Sequence, residues 1–269
     1  MRSFLLLLPA RYQPFVIIFT TIMLALASAF AVYLLFGGME LTTETGLTTA
    51  VYAVLGTIYA VVVAFSISGV WQNYCASELA VTLEAAALID LIHTVKATTT
   101  EKAEIINGIA INYLKKAVEV EWPLLASGSD TSMMSSASPT FPLTMHLIRE
   151  VQTIQPSNER DNVIFSHALT LLTRWLDAKR TRVMISKGNI AQSHWPLLIA
   201  GAFILFAFHG LFIFQNPILS IALLIFFSGI IGLAFYLIFT LDCPFAGSPA
   251  VDASPFNAAL NYLSDPNFS

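Results

Sequence analysis

GTIYAVVVAFSISGVWQNYCASELAVTLEAAALIDL, residues 56–91, begins as a stretch that lipid would accept and ends as one that water would. It contains no proline, and no glycine after Gly69, so nothing in it stops a helix. One helix is therefore expected to leave the membrane unbroken. Traced back to Gly46 and on to Val95, it makes a rod of about 50 residues, roughly 75 Å long at 1.5 Å per residue.

The whole chain has the composition such a rod requires. Of its 269 residues 56% are hydrophobic and 11% charged, with a mean hydropathy of +0.72, which defines an integral membrane protein. Four runs, 15–36, 47–71, 197–214 and 218–241, contain no Lys, Arg, Asp or Glu, and each approaches or exceeds the 20 or so residues that cross a hydrocarbon core as helix. Arg2 and Arg11 before the first run and Ala27-Ser28-Ala29 within it resemble a signal peptide. The apolar run continues past that point to Phe36, so it is read as a span.

All 13 Lys and Arg fall at Arg2, at Arg11 and between Lys96 and Lys187, whereas the loop after the first span carries Glu40 and Glu44. The positive-inside rule then places both termini and the long middle segment in the cytoplasm, with two short loops outside. The net charge of -4 leaves no basic stripe for nucleic acid. Cys75 and Cys243 both fall on the reducing side and are expected to be free thiols.

The expected fold is all-α, with four transmembrane helices and a helical cytoplasmic domain inserted between spans 2 and 3. Residues 1–71 form the first membrane pair, 72–194 the inserted domain, 195–241 the second pair and 242–269 a cytoplasmic tail. In the insertion, Leu79, Leu83, Ala86 and Ala87 share one helix face, with Asp90 intruding and Ser77, Glu78 and Glu84 falling away from it. Thr98 and Glu101 read as a capping start for a second helix, whose stripe Ile105, Ile106, Ile109, Tyr113, Ala117, Val120 stops near Pro123. Residues 127–142, rich in Ser, Thr and Pro, read as a loop. A short helix over 143–155 follows, then one after Ser157 and Asn158 with Ile164, Ala168, Leu171, Leu172 and Trp175 at core spacing. Its end is basic, with Arg174 and the KRTR run at 179–182, which suits a helix C-terminus or a membrane surface. Four prolines break the tail, leaving a short helix over 257–263.

Five histidines are scattered without ligand spacing, and there is no phosphate loop or serine elbow, so no enzyme activity, cofactor or metal is expected. Function points instead to the second span. Thr45, Tyr52, Tyr59, Ser66 and Asn73 recur every seven residues and form one polar stripe, with Leu55, Val62 and Val63 beside it. Gly56, Ala60, Ala64 and Ser68, spaced by four, form a small-residue stripe on a neighbouring face. Several copies around an axis, with Tyr52, Leu55, Tyr59, Val62, Ser66 and Asn73 facing water and the small residues facing protein, would make a pore that apolar rings close by dewetting. The other reading has the tyrosine and serine hydroxyls bonded inside one chain's own bundle. His209 is the one histidine well inside a span and is a further functional candidate.

The order of these parts, two spans, a helical insertion continuous with the second, two more spans and a tail, resembles the bestrophin channels. Local signatures resemble the bacterial bestrophin-like family: VWQNYCASELAVTLEAAAL at 70–88, Glu121-Trp122, Arg180 and Arg182, DCPFAG at 242–247 and Pro255-Phe256. The resemblance implies a homo-oligomer, a pentamer if the likeness is full, with the second span lining a path for small inorganic ions, by expectation anions. It departs from the calcium-gated members, since Asp242, Asp252 and Asp265 are too spread to clasp calcium. Glu78 and Glu84 on one helix and Arg180 and Arg182 on another are candidates for ion pairs holding the insertion together, and Glu121 beside Trp122 reads as a helix-end packing site. The competing function is a non-conducting membrane-anchored scaffold or sensor acting through its cytoplasmic domain. A small-solute transporter is less favoured, because no inverted repeat or broken helix is evident.

Overall fold

The computed structural model describes residues 11–36, 45–98, 100–127, 138–186, 194–212, 216–246 and 249–265. Their regular structure is all helical: α1 Gln13–Phe36, α2 Thr45–Lys96, α3 Thr100–Lys116, a π turn Ala117–Glu121, α4 Trp122–Ala126, α5 Phe141–Gln152, α6 Glu159–Ile185, α7 His194–His209 with a 3-10 turn Gly210–Phe212, α8 Pro217–Leu241 and α9 Ser254–Leu263. The acidic loop residues Glu40 and Glu44, the side chain of Thr45, and Lys187 lie outside the described residues. The expected unbroken rod is present, because α2 runs 52 residues from Thr45 to Lys96.

The chain divides into two compact units, Met1–Gln72 with Asn189–Asp242 and Asn73–Gly188 with Cys243–Ser269, and α2 contributes to both. In the first unit α1, α2 and α8 are long and apolar enough to cross a membrane, while α7 is a shorter apolar helix. Here α1 packs mainly along α8, with α7 and its 3-10 turn next. The approach of α1 to α8 depends on Gly232, where an added Cβ would lie 2.9 Å from the Ile18 Cα. Gly232→Leu is accordingly expected to cost about 1–3 kcal/mol by overpacking. Gly229→Leu, where nothing lies within 4 Å, should cost little. Thermal unfolding in detergent compares the two, and equal melting temperatures would remove the close-approach argument.

In the second unit the buried side of α2 carries Ala80, Val81, Glu84, Ala85, Leu88, Leu91, Ile92 and Val95. This corrects the expected apolar face, since Leu79 and Leu83 are 58% and 51% exposed and Ser77 and Glu84 are buried. Counting apolar residues misjudged the side because, over its first turns, the face that packs against protein carries Ser77, Ala80 and the Glu84 carboxylate, while Leu79 and Leu83 lie on the other side. Helix α3 continues beyond the expected stop: the Trp122 N–H reaches back five residues to the Ala117 carbonyl, and the wide turn absorbs Pro123, which has no N–H to give. Asn158 caps α6 by accepting from the Asp161 N–H at 2.9 Å. The tail belongs to this unit. Its helix α9 is tied down by the Asn107 side chain, which donates to the Leu263 carbonyl at 3.1 Å, and by His93 and Tyr262, 2.9 Å apart.

Candidate functional site

Helix α2 presents two different faces. Tyr59 is 8% exposed, and its hydroxyl donates to the Leu198 carbonyl at 2.9 Å. Its ring lies where a Cβ on Gly201 would have to go, 2.6 Å from that position. Tyr52 is half-buried, stacked on Phe208 with ring centres 5.8 Å apart, and its hydroxyl is 3.4 Å from His209 Nδ1. The other ring nitrogen, Nε2, donates to the Ser220 carbonyl at 3.0 Å, so His209 links α2 to α8. Ser66 returns its hydroxyl to the Val62 carbonyl at 2.9 Å. Leu55, Val62, Ser66 and Asn73 are half-buried.

The stripe is therefore real as a stripe, but within one chain it faces protein. In the single chain Tyr59 is buried, Ala60, Ala64 and Ser68 are exposed, and Gly56, half-buried, has open space where a Cβ would stand. Tyr59 turns inward because a hydroxyl in an apolar bundle is costly unless bonded, and the Leu198 carbonyl in the first turns of α7 supplies its partner. The uncovered side of α2 carries Val54, Ile58, Val61 and Phe65, respectively 59%, 57%, 49% and 75% exposed, followed by Ser68, Gln72 and Cys75. These lie within about 100° of one another at 100° per residue.

A second constellation lies wholly within the helical unit and centres on Arg182. The guanidinium is fully buried, as are Glu84, Glu121 and Tyr113. Arg182 Nε donates to Glu84 at 2.7 Å, and Nη2 divides itself between Glu84 at 3.3 Å and Glu121 at 2.7 Å. Tyr113 donates to Glu84 and Thr140 donates to Glu121. The guanidinium lies over the rings of Trp122 and Phe256, at 5.6 Å and 5.4 Å, so the tail closes the cluster on one side. Lys179, one turn before Arg182, donates to the Thr140 and Thr144 hydroxyls at 2.8 Å and 2.6 Å. With two carboxylates, one guanidinium and one ammonium, the formal charges sum to zero.

Burial alone would push the Glu121 carboxyl up, but Arg182, Lys179 and the bonds from Thr140 and Arg182 outweigh it and hold it below the ordinary value. Burial and the neighbouring Glu84 push the Tyr113 hydroxyl well up. Burial works against the Arg182 charge, and Glu84 with Glu121 more than restores it. Lys179 goes the other way: burial, only partly offset by Glu121 and Glu84, brings it down to about 8.

Of the four sequence candidates for ion pairing, Glu84 and Arg182 meet. Arg180 instead pairs on the surface with Asp177 at 3.1 Å, and Glu78 is exposed. Glu121 takes part in the charge network itself. Sequence reasoning missed Tyr113, Thr140, Thr144 and Lys179. Only Lys179 had a signal, its position three residues before Arg182 on the same face, because the others are joined to the cluster by tertiary packing. Among the described residues no group of three or more His, Cys, Asp or Glu could hold a metal ion. Cys75 is exposed, Cys243 is buried, and the two are not bonded.

An all-helical chain with membrane-length apolar helices and one helix shared between an apolar and a charged unit is a helical membrane protein. More particularly, it belongs to the Bestrophin-like family, whose domain matches residues 19–256. Two crystal structures of variants of a bacterial Bestrophin homolog from Klebsiella pneumoniae superpose on it with TM-scores of 0.69 and 0.70. Both are 11% identical, covering 93% and 94% of this chain and 97% and 100% of those. A structure described as a membrane protein superposes at 0.70 and 11% identity, covering 93% of this chain and 97% of that one. At these identities the likeness is one of fold. No curated protein matches the sequence.

Proposed function

We propose that the protein is an ion channel built from several copies of this chain around an axis, with the uncovered face of α2 lining the path. The observation that carries this reading is a single 52-residue helix whose exposed stripe, Val54, Ile58, Val61, Phe65, Ser68, Gln72 and Cys75, passes without interruption from the apolar unit into the charged one. A water-filled axis with a short apolar neck can accommodate both parts of such a stripe. The stripe carries no charge of either sign, so small anions are proposed as the permeant ions on the family likeness.

In this reading α7 is the third of four spans. Its 16 residues and the three-residue 3-10 turn together reach about 30 Å, one hydrocarbon thickness. The helical unit and both termini are cytoplasmic by their Lys and Arg content, and the membrane is the inner one.

The bonding of Tyr52 and Tyr59 inside their own chain favours a second reading, a membrane-anchored scaffold that conducts nothing. The native thiols separate the two. In liposomes holding the purified protein, an anionic methanethiosulfonate reagent should cut anion flux by placing a negative charge at exposed Cys75, while Cys75→Ser abolishes the sensitivity and buried Cys243 contributes none. Flux that ignores the reagent would remove this face of α2 from the path. Absence of flux at any voltage would favour the scaffold.

A further inference from the structure

We propose that Lys179 is an alkaline-tightened latch, clamping the first turn of α5 to α6 more firmly once it has lost its proton. The geometry has three parts. The Lys179 ammonium is 8% exposed and, among the described residues, has no carboxylate within ion-pair distance; its bonds go to the hydroxyls of Thr140 and Thr144. Thr140 is the N-cap of α5 and Thr144 lies one turn on, so a cation sits at a helix N-terminus, where the helix dipole opposes it. Both hydroxyl protons are already committed, that of Thr140 to Glu121 and that of Thr144 to the Thr140 carbonyl at 2.9 Å. A neutral amine with two N–H groups keeps both bonds to the threonines. The ammonium makes those bonds stronger, but it also carries a charge that the site cannot hydrate, and the lost hydration is the larger effect.

The groups facing Lys179 come from every element around it. Helix α2 supplies Glu84, the π turn Glu121, α6 itself Arg182, and α3 the Tyr113 ring, whose centre is 4.8 Å from Nζ. The first turn of α5 adds no acid. Attraction to the two carboxylates does not make up for lost hydration, so the closed site releases its proton near pH 8, against about 10.5 for a solvated lysine.

The sign follows from proton counts. Between about pH 8 and 10.5 an opened site holds a proton that the closed site does not, so raising the pH through this window disfavours opening. The open population falls about tenfold for each pH unit there, and is independent of pH below the window, where both states are protonated. Nothing in this depends on whether the chain conducts ions.

Pulsed hydrogen exchange on the full chain in detergent micelles tests it, reading the α5 amides of residues 141–149 after correction for the intrinsic exchange rate. The wild type is expected to gain protection about tenfold per pH unit above pH 8, and Lys179→Met to show no such dependence. Wild-type protection that stays flat across the window, or a Lys179→Met variant that follows the wild type, would overturn the proposal. Should Lys179→Met fail to fold, Thr144→Ala keeps the lysine and removes one acceptor. Bonds from a charged donor are the stronger ones, so the onset should then move below pH 8. An unmoved onset would equally overturn the latch.

Discussion

Arg182→Met is expected to unfold the helical unit, at a cost of about 3–5 kcal/mol, because it leaves two buried carboxylates facing each other without their shared cation. The loss exceeds that of a typical core substitution for a reason specific to this cluster. Glu84 comes from α2, Glu121 from the π turn and Arg182 from α6, so one guanidinium joins three separate elements. Arg182→Lys should rescue little, since a point cation cannot reproduce a planar fork bonded to two acids and lying over Trp122 and Phe256. Exchanging the charges in Glu84→Arg with Arg182→Glu should also fail, although those residues touch, because the new glutamate would face Glu121. The triple neutral variant Arg182→Met, Glu84→Gln, Glu121→Gln should recover much of the loss, as buried ion clusters often do when every charge is removed together. Arg180→Met, which breaks only an exposed pair with Asp177, should stay within about 0.5 kcal/mol of the wild type. Thermal melting in detergent, followed by proteolysis of the helical unit, reads all five. A near-neutral Arg182→Met would mean that Arg182 is not what holds these elements together.

The long helix was legible because its signal is local: thirty-six residues without a proline, apolar at one end and charged at the other. The helix after Asn158 and the tail helix were legible for the same reason, one by its cap and the other by a Ser-Pro start. The facing of α2 was not legible, because periodicity shows that Tyr52, Tyr59 and Ser66 share a side without showing what lies there. That was decided by a carbonyl at Leu198 and a bare Gly201, both about 140 residues further along the chain. The charge cluster was half legible. Opposite charges on two helices suggest a pair, but choosing Arg182 over Arg180 turns on a rotation of 200° along α6, which core spacing around Trp175 implies only once the neighbouring elements are placed. Glu121 was hidden by Pro123, which reads as a stop and acts instead through a wide turn that keeps the helix going.

Replacing both Val61 and Phe65 by threonine is expected to raise ion flux through reconstituted protein by about tenfold or more. On the proposed assembly these two side chains, 49% and 75% exposed on one chain, form successive apolar rings around the axis, where the barrier to an ion is the cost of keeping water in the neck. A hydroxyl on every copy lowers that cost, and about 1.4 kcal/mol off the barrier already gives a factor of ten. Tyr59→Phe supplies the contrast. Its hydroxyl is occupied by the Leu198 carbonyl, so its loss should cost about 1 kcal/mol of stability and leave flux unchanged. If Tyr59→Phe alters flux while the threonine pair does not, the tyrosine stripe lines the path after all, and Tyr59 must turn away from α7 in the assembled channel. If neither changes a measurable flux, α2 does not bound the conducting path and the pore belongs to another element.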